Sequence, residues 1–294
     1  MHNMRISFHL GVHETDDDQL VRSLLKNTKV LLAENVAVPG PGRYRSIINQ
    51  VLEKLKGGRA SPDTQDVLLE QILEADDTER LVLSSPYFLS NHPGALRAGR
   101  LYPRAGAATL ALANLFPDTP VEFFLAVRNP ATFVPALHMR LQQAPFAEYI
   151  AGIDPDTLVW SDMIRDIRAA NPDAPITVWC NEDTPLIWAQ ILREVAGLDH
   201  GEQVTGGFDL LYEIMSRDGV KRLRTYLAER PEISEMHKRR VIAAFLDKYA
   251  IEDAVEEELD LPGWTEDLVD TLTEIYDEDV RSIQHIPGVQ LIAP

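Results

Sequence analysis

Phe8-His9-Leu10-Gly11-Val12-His13-Glu14-Thr15-Asp16-Asp17-Asp18-Gln19 gathers glycine, imidazole, hydroxyl and carboxylate groups near the N-terminus. An apolar, strand-like run enters a turn, and a helical pattern leaves it. In α/β proteins that arrangement makes an anion site. Backbone N–H groups close on a phosphate, the helix dipole faces it, and a lysine usually meets its charge. The side chains here have the opposite sign: Glu14, Asp16, Asp17 and Asp18 hold the turn, and no Lys or Arg follows before Arg22. One carboxylate about 5 Å from a phosphate charge repels it by about 3 kcal/mol at an effective dielectric of ~20. The same residues also suit a helix start, with Asp16 as N-cap, Gln19 closing a capping box, and Asp17 and Asp18 in the first turn. His13, on the loop itself, is a candidate general base, and Glu14 is a second. Adjacent aspartates on a helix point in different directions, so no metal site is expected.

Three further stretches carry donors or acids. Arg128-Asn129 follows the strongest strand pattern, Val121 to Val127, and precedes Pro130. An arginine there either offers a planar fork to a phosphate or pairs with an acidic neighbour on the sheet rim. Arg43, Tyr44 and Arg45 follow Pro39-Gly40-Pro41-Gly42, which reads either as a rigid connector with solvated arginines or as a substrate-orienting segment. Tyr87 ends Ser84-Ser85-Pro86-Tyr87, just past another strand pattern. Glu182 and Asp183 suit the cap of a helix beginning near Pro185.

A parallel sheet brings such groups together, because ligands sit outside the carboxyl ends of its strands. Arg5 to Leu10, Leu81 to Ser85, Val121 to Val127 and Ile176 to Trp179 read as strands of the buried type. Val289 to Ile292 reads as a last short one. Helical spacing separates them: Leu20 to Leu32, Ile47 to Leu55, a helix capped by Ser61-Pro62, the Ala-rich Tyr102 to Leu115, a helix started by Asp154-Pro155, and one ending at Gly197. Alternation over the first ~200 residues indicates βαβ units. The expected fold is α/β, a three-layer sandwich around a parallel sheet of about four to five strands. Residues 1–200 form its core, and residues 201–294 a helical extension packed on the same domain.

The 294 residues, 45% hydrophobic, suffice for a full core. A single cysteine, Cys180, excludes an intramolecular disulfide and suits a reducing compartment, and no apolar run reaches membrane-span length. The expectation is a cytoplasmic protein without membrane contact. A net charge of −18 argues against nucleic-acid binding. From Glu252 to Asp279 stand 13 acidic residues and no Lys or Arg. That run is a solvated face or a docking surface for a basic protein partner.

Together these features resemble the sulfotransferases that use 3′-phosphoadenosine 5′-phosphosulfate (PAPS), most closely their bacterial branch, over nearly the whole chain. Phe8 to Thr15 is similar to that branch's strand and loop, apolar residues followed by G-x-H-K-T-G-T-T. Val121 to Val127 with Arg128-Asn129-Pro130 is similar to its strand and R-x-P turn against the 3′-phosphate. Glu182-Asp183 and the last helix around Tyr276-Asp277-Glu278-Asp279 are similar as well. The resemblance implies a P-loop-type fold and sulfuryl transfer from PAPS to a hydroxyl or amine of a small-molecule or carbohydrate acceptor. It implies a cofactor site of Gly11, Val12, Thr15, Asp16, Asp17, Asp18, Gln19, Arg128 and Asn129, with His13 or Glu14 as base and Arg43, Tyr44, Arg45 and Tyr87 facing the acceptor. The chain departs from the pattern at the chemistry. The family's Lys falls on Glu14, its G-T-T on Asp16-Asp17-Asp18, its 3′-phosphate Ser on Ala136, and its base after the second strand on Ser84 to Tyr87. Weak or absent PAPS binding is expected. The alternatives are a non-catalytic relative that binds or scaffolds, and a transferase with a less anionic donor.

Overall fold

The computed structural model describes residues 4–75, 77–141, 144–255 and 261–294. Its strands are β1 (Arg5–His9), β2 (Val36–Ala37), β3 (Arg80–Ser84), β4 (Leu96–Arg97), β5 (Arg100–Leu101), β6 (Val121–Val127), β7 (Ile176–Cys180) and β8 (Val289–Ile292). Six of them form one sheet in the order β2-β3-β1-β6-β7-β8, and every pairing in it is parallel. The four strands expected of the core and the short last one are all there. β2 makes a sixth, too short at two residues to leave a pattern in the sequence. β4 and β5 pair antiparallel as a separate hairpin.

Alternation along the strands feeds two cores. Ile6, Phe8, Leu83, Phe123, Leu125 and Val178 face one layer of helices, which includes Pro41–Leu55, Trp160–Ala170 and Glu266–Gln284. Val82, Phe124, Ala126 and Trp179 face the other, with Gln19–Leu25 and Thr184–Ala196. β1 lies between β3 and β6, buried on both sides, so the loop after it emerges beside the ends of two neighbours.

Several boundaries differ from the sequence reading for local reasons. The pattern from Leu20 to Leu32 breaks at Asn27, whose side chain exchanges hydrogen bonds with the backbone of Thr205. The next helix starts at Pro41, so Arg43, Tyr44 and Arg45 lie on its first turns and not in a connector. Asp154-Pro155 begins only a single 3-10 turn, Pro155–Thr157. The regular helix opens at Trp160, where Asp279 accepts from the N–H groups of Trp160 and Ser161 at 2.6 and 3.0 Å.

Helices between Leu211 and Tyr249 gather a small core of their own, including Met215, Val220, Leu223 and Ile242. The Glu266–Gln284 helix returns to the main core through Leu272, Tyr276 and Ile283, and β8 then pairs with β7. Part of the acidic run, residues 256–260, lies outside the described residues. Asp279 is not on a solvated face: it is 5% exposed, beneath the helix it caps. No helix among the described residues is long and apolar enough to cross a membrane.

Candidate functional site

The loop after β1 is built from left-handed backbone. Gly11, Glu14, Asp17 and Asp18 have φ of 53°, 57°, 42° and 68°. Gly11 is required there, since a Cβ would stand 2.7 Å from the Ser85 carbonyl oxygen and 2.8 Å from Pro86 Cα. The expected capping box does not form. Asp18 occupies the cap position of the Gln19–Leu25 helix without a side-chain cap bond, and the Gln19 carboxamide accepts from Arg22 instead. The left-handed turn at Asp17 and Asp18 holds these residues outside the helix. It also lets Asp16 look back at it, with Oδ2 accepting from Leu20 N–H at 3.0 Å.

Each remaining loop carboxylate meets an arginine from a neighbouring element. Arg140, on the Pro130–Leu141 helix, donates through Nε to both Glu14 oxygens at 3.1 Å and reaches Asp17 at 3.2 Å. Arg45 forks onto Asp18 at 2.9 and 2.5 Å and also donates to the Ser84 carbonyl, bracing loop to strand end. The hydrogen bond from Arg45 holds the Asp18 carboxyl below its ordinary range, against the effect of burial. Arg128 donates to the Glu14 carbonyl oxygen at 2.5 Å and to Thr132 Oγ1 at 3.0 Å.

Under this latch lies a cavity of about 210 Å³, lined by His13, Glu14, Tyr87, His92 and Arg140 among others. The Tyr102 hydroxyl accepts from the His13 backbone N–H at 3.0 Å and stands 2.7 Å from its Nδ1. Burial pushes the Tyr102 pKa up, so the hydroxyl keeps its proton and donates it to Nδ1. The ring proton of His13 is then on Nε2, which is buried and has no hydrogen-bond partner among the described residues. Burial, with a smaller contribution from His92, pushes the His13 pKa down to about 4. His13 is therefore a neutral N–H donor at neutral pH. The His92 ring lies 4.2 Å from the His13 ring, with its Nε2 3.5 Å from Glu14, and Tyr87 meets both imidazoles edge-on.

The other sequence candidates divide by position. Val12 is buried, and its carbonyl accepts from Thr15 Oγ1 at 2.5 Å. Tyr44 is fully buried; its hydroxyl spans the Ser84 carbonyl and N–H at 2.6 and 2.9 Å, which fixes the end of β3. Arg43 pairs with Glu74, away from the loop. The side chain of Asn129 bonds Thr273 and the Ala131 N–H, while its own N–H donates to Glu182. Glu182 also accepts from Tyr276, so it joins β6 to the last helix and does not cap its own. Sequence reading missed Tyr102, His92 and Arg140. Arg140 lies about twelve residues past Arg128, one helix away, and no local pattern announces it. Among the described residues there is no cluster of His, Cys, Asp or Glu that would hold a metal.

The sheet order and the helices on both of its faces define a three-layer α/β protein with a central six-stranded parallel sheet. No protein-family model and no curated protein matches the chain. Among solved structures it is similar to the crystal structure of a sulfotransferase from Alicyclobacillus acidocaldarius, at 13% identity, 90% coverage of this chain, 98% of that one, and a TM-score of 0.42. A likeness that loose carries nothing about activity. At the loop, Arg45 and Arg140 are held by carboxylates of the loop itself.

Proposed function

We propose that this chain is a sulfotransferase relative that does not use PAPS and works as a binding protein. The observation that carries the reading is the engagement of the loop: Glu14 and Asp17 are held by Arg140, and Asp18 by Arg45. A polyanionic donor would have to break these pairs and meet the carboxylates they release. Each such carboxylate opposes it by about 3 kcal/mol at ~5 Å and an effective dielectric of ~20. The cavity instead suits a small neutral or amine-bearing molecule. An oxygen of that ligand accepts from His13 Nε2–H, and its hydroxyl or amine donors meet Glu14 and Asp17.

A second reading, a transferase with a less anionic donor, draws support from the same unpartnered His13 nitrogen, since oxyanion-stabilising groups are neutral donors of this kind. Calorimetric titration with 3′-phosphoadenosine 5′-phosphate (PAP) tests the main reading. The expected Kd is above ~100 µM, because each lost charge-assisted contact is worth roughly 1.5–3 kcal/mol and tenfold costs only about 1.4. Micromolar affinity for PAP would overturn the proposal and restore the PAPS-dependent enzyme.

A further inference from the structure

A second cavity, of about 600 Å³, lies where the Thr184–Ala196 helix meets the helices Arg217–Ala228 and Glu235–Tyr249, and it shares no lining residue with the loop cavity. Its size is that of a small-molecule pocket. Ile187, Phe208, Leu227 and Ile242 give it apolar walls. Two donors on its lining residues are buried without a hydrogen-bond partner among the described residues, the indole N–H of Trp188 and the Nε–H of Arg193. Trp188 is 2% exposed and Arg193 7%, so bulk water does not serve them.

Folding leaves such donors unmet only at a cost, and the cost is larger for a charged group. The other end of the Arg193 guanidinium reaches Glu235 at 3.7 Å, and Glu235 is itself held by Lys238 at 2.7 Å. The lining carries Arg193, Arg224, Lys238 and Arg239 against Glu202 and Glu235, four positive charges to two negative. That surplus stands out in a chain with a net charge of −18.

We infer that this cavity binds a small organic carboxylate with an apolar body, its head against Arg193 and its body along Trp188 and Leu227. A monoanion is preferred to a phosphate ester because Glu235 remains in the wall and repels a second negative charge. This site is independent of the reading given to the β1 loop.

The test is calorimetry on the full chain with octanoate, its neutral counterpart octanamide, and octyl phosphate. Octanoate should saturate at one site per chain with a Kd below about 1 mM, and octanamide should bind at least tenfold more weakly. Arg193→Gln should weaken octanoate at least tenfold. Octanoate should change the tryptophan emission of the natural protein, and Trp188→Phe should remove that change while the heat of binding persists. Leu227→Trp fills the cavity and should abolish binding. If Arg193→Gln fails to fold, the Leu227→Trp protein decides. Several outcomes would overturn the inference: no saturable heat up to about 5 mM octanoate, equal binding of octanamide, unchanged affinity in a folded Arg193→Gln or Leu227→Trp protein, or tighter binding of octyl phosphate.

Discussion

His13 is the residue whose chemistry differs most between sequence and structure. A histidine on a loop invites the role of base, but Tyr102 fixes its tautomer, and burial lowers its pKa to about 4 from an ordinary 6.5. The unfolded chain therefore binds a proton at higher pH than the folded one. Stability from this group is complete above pH 6.5 and is lost as the pH falls toward 4. His9, whose pKa burial also lowers, acts in the same direction. Urea unfolding at steps of pH should show stability dropping across that window, with a shallower drop in His13→Gln. An identical slope in the variant would show that His13 titrates normally in the fold.

The loop and its following helix set a second expectation. Left-handed backbone falls at Glu14, Asp17 and Asp18 and not at Asp16, so placing Thr at positions 17 and 18 would put β-branched side chains at φ of 42° and 68°. The conversion to make is Glu14→Lys with Asp17→Gly and Asp18→Gly, keeping the Asp16 carboxylate on the Leu20 N–H. It removes three carboxylates and releases Arg140 and Arg45, and PAP affinity should rise at least tenfold by calorimetry. A folded triple variant with natural affinity would mean that the loop amides do not form an anion site. At the other helix start, Asp279→Ala strips two charge-assisted bonds from the Trp160–Ala170 helix. It should cost about 2–4 kcal/mol in urea unfolding, and Asp279→Asn, which keeps an acceptor oxygen, should cost less. A loss under about 0.5 kcal/mol in the alanine variant, the level of an ordinary surface change, would show that the helix does not depend on this cap.

At this scale the sequence was informative where periodicity is long. The four core strands and the Pro or Gly boundaries could be read because buried strands and helix breaks leave local marks. Asp154-Pro155 misled because a local cap signature is overruled when a carboxylate far along the chain, here Asp279, satisfies the helix start at Trp160 instead. The ion-pair latch was unreadable for the same reason. Arg45 and Asp18, or Arg140 and Glu14, are joined only by the sheet order.

For the whole molecule, the decisive fact is that the sheet is finished by Val289–Ile292, far along the chain from the β7 strand it pairs with. A chain ending at Tyr249 lacks the Glu266–Gln284 helix and β8, and with them Leu272, Tyr276 and Ile283 of the main core. Full burial of one large apolar side chain contributes ~1.5–3 kcal/mol, so losing these three removes about 5–9 kcal/mol, comparable to a typical margin of ~5–15 kcal/mol even before the bare edge is counted. Thermal unfolding followed by near-ultraviolet circular dichroism should show no cooperative transition in the shortened chain. A sharp transition at the natural temperature would show that the last 45 residues are dispensable.

The same placement of β8 has a consequence for biosynthesis. β7 waits with an unpaired edge until Val289–Ile292, far along the chain, can dock beside it. A half-made chain thus presents Val178 and its neighbours on an open, apolar parallel strand, the kind of template on which nascent chains pair with one another. Synthesis of β8, and not emergence of the first three core strands, is the event that completes the sheet.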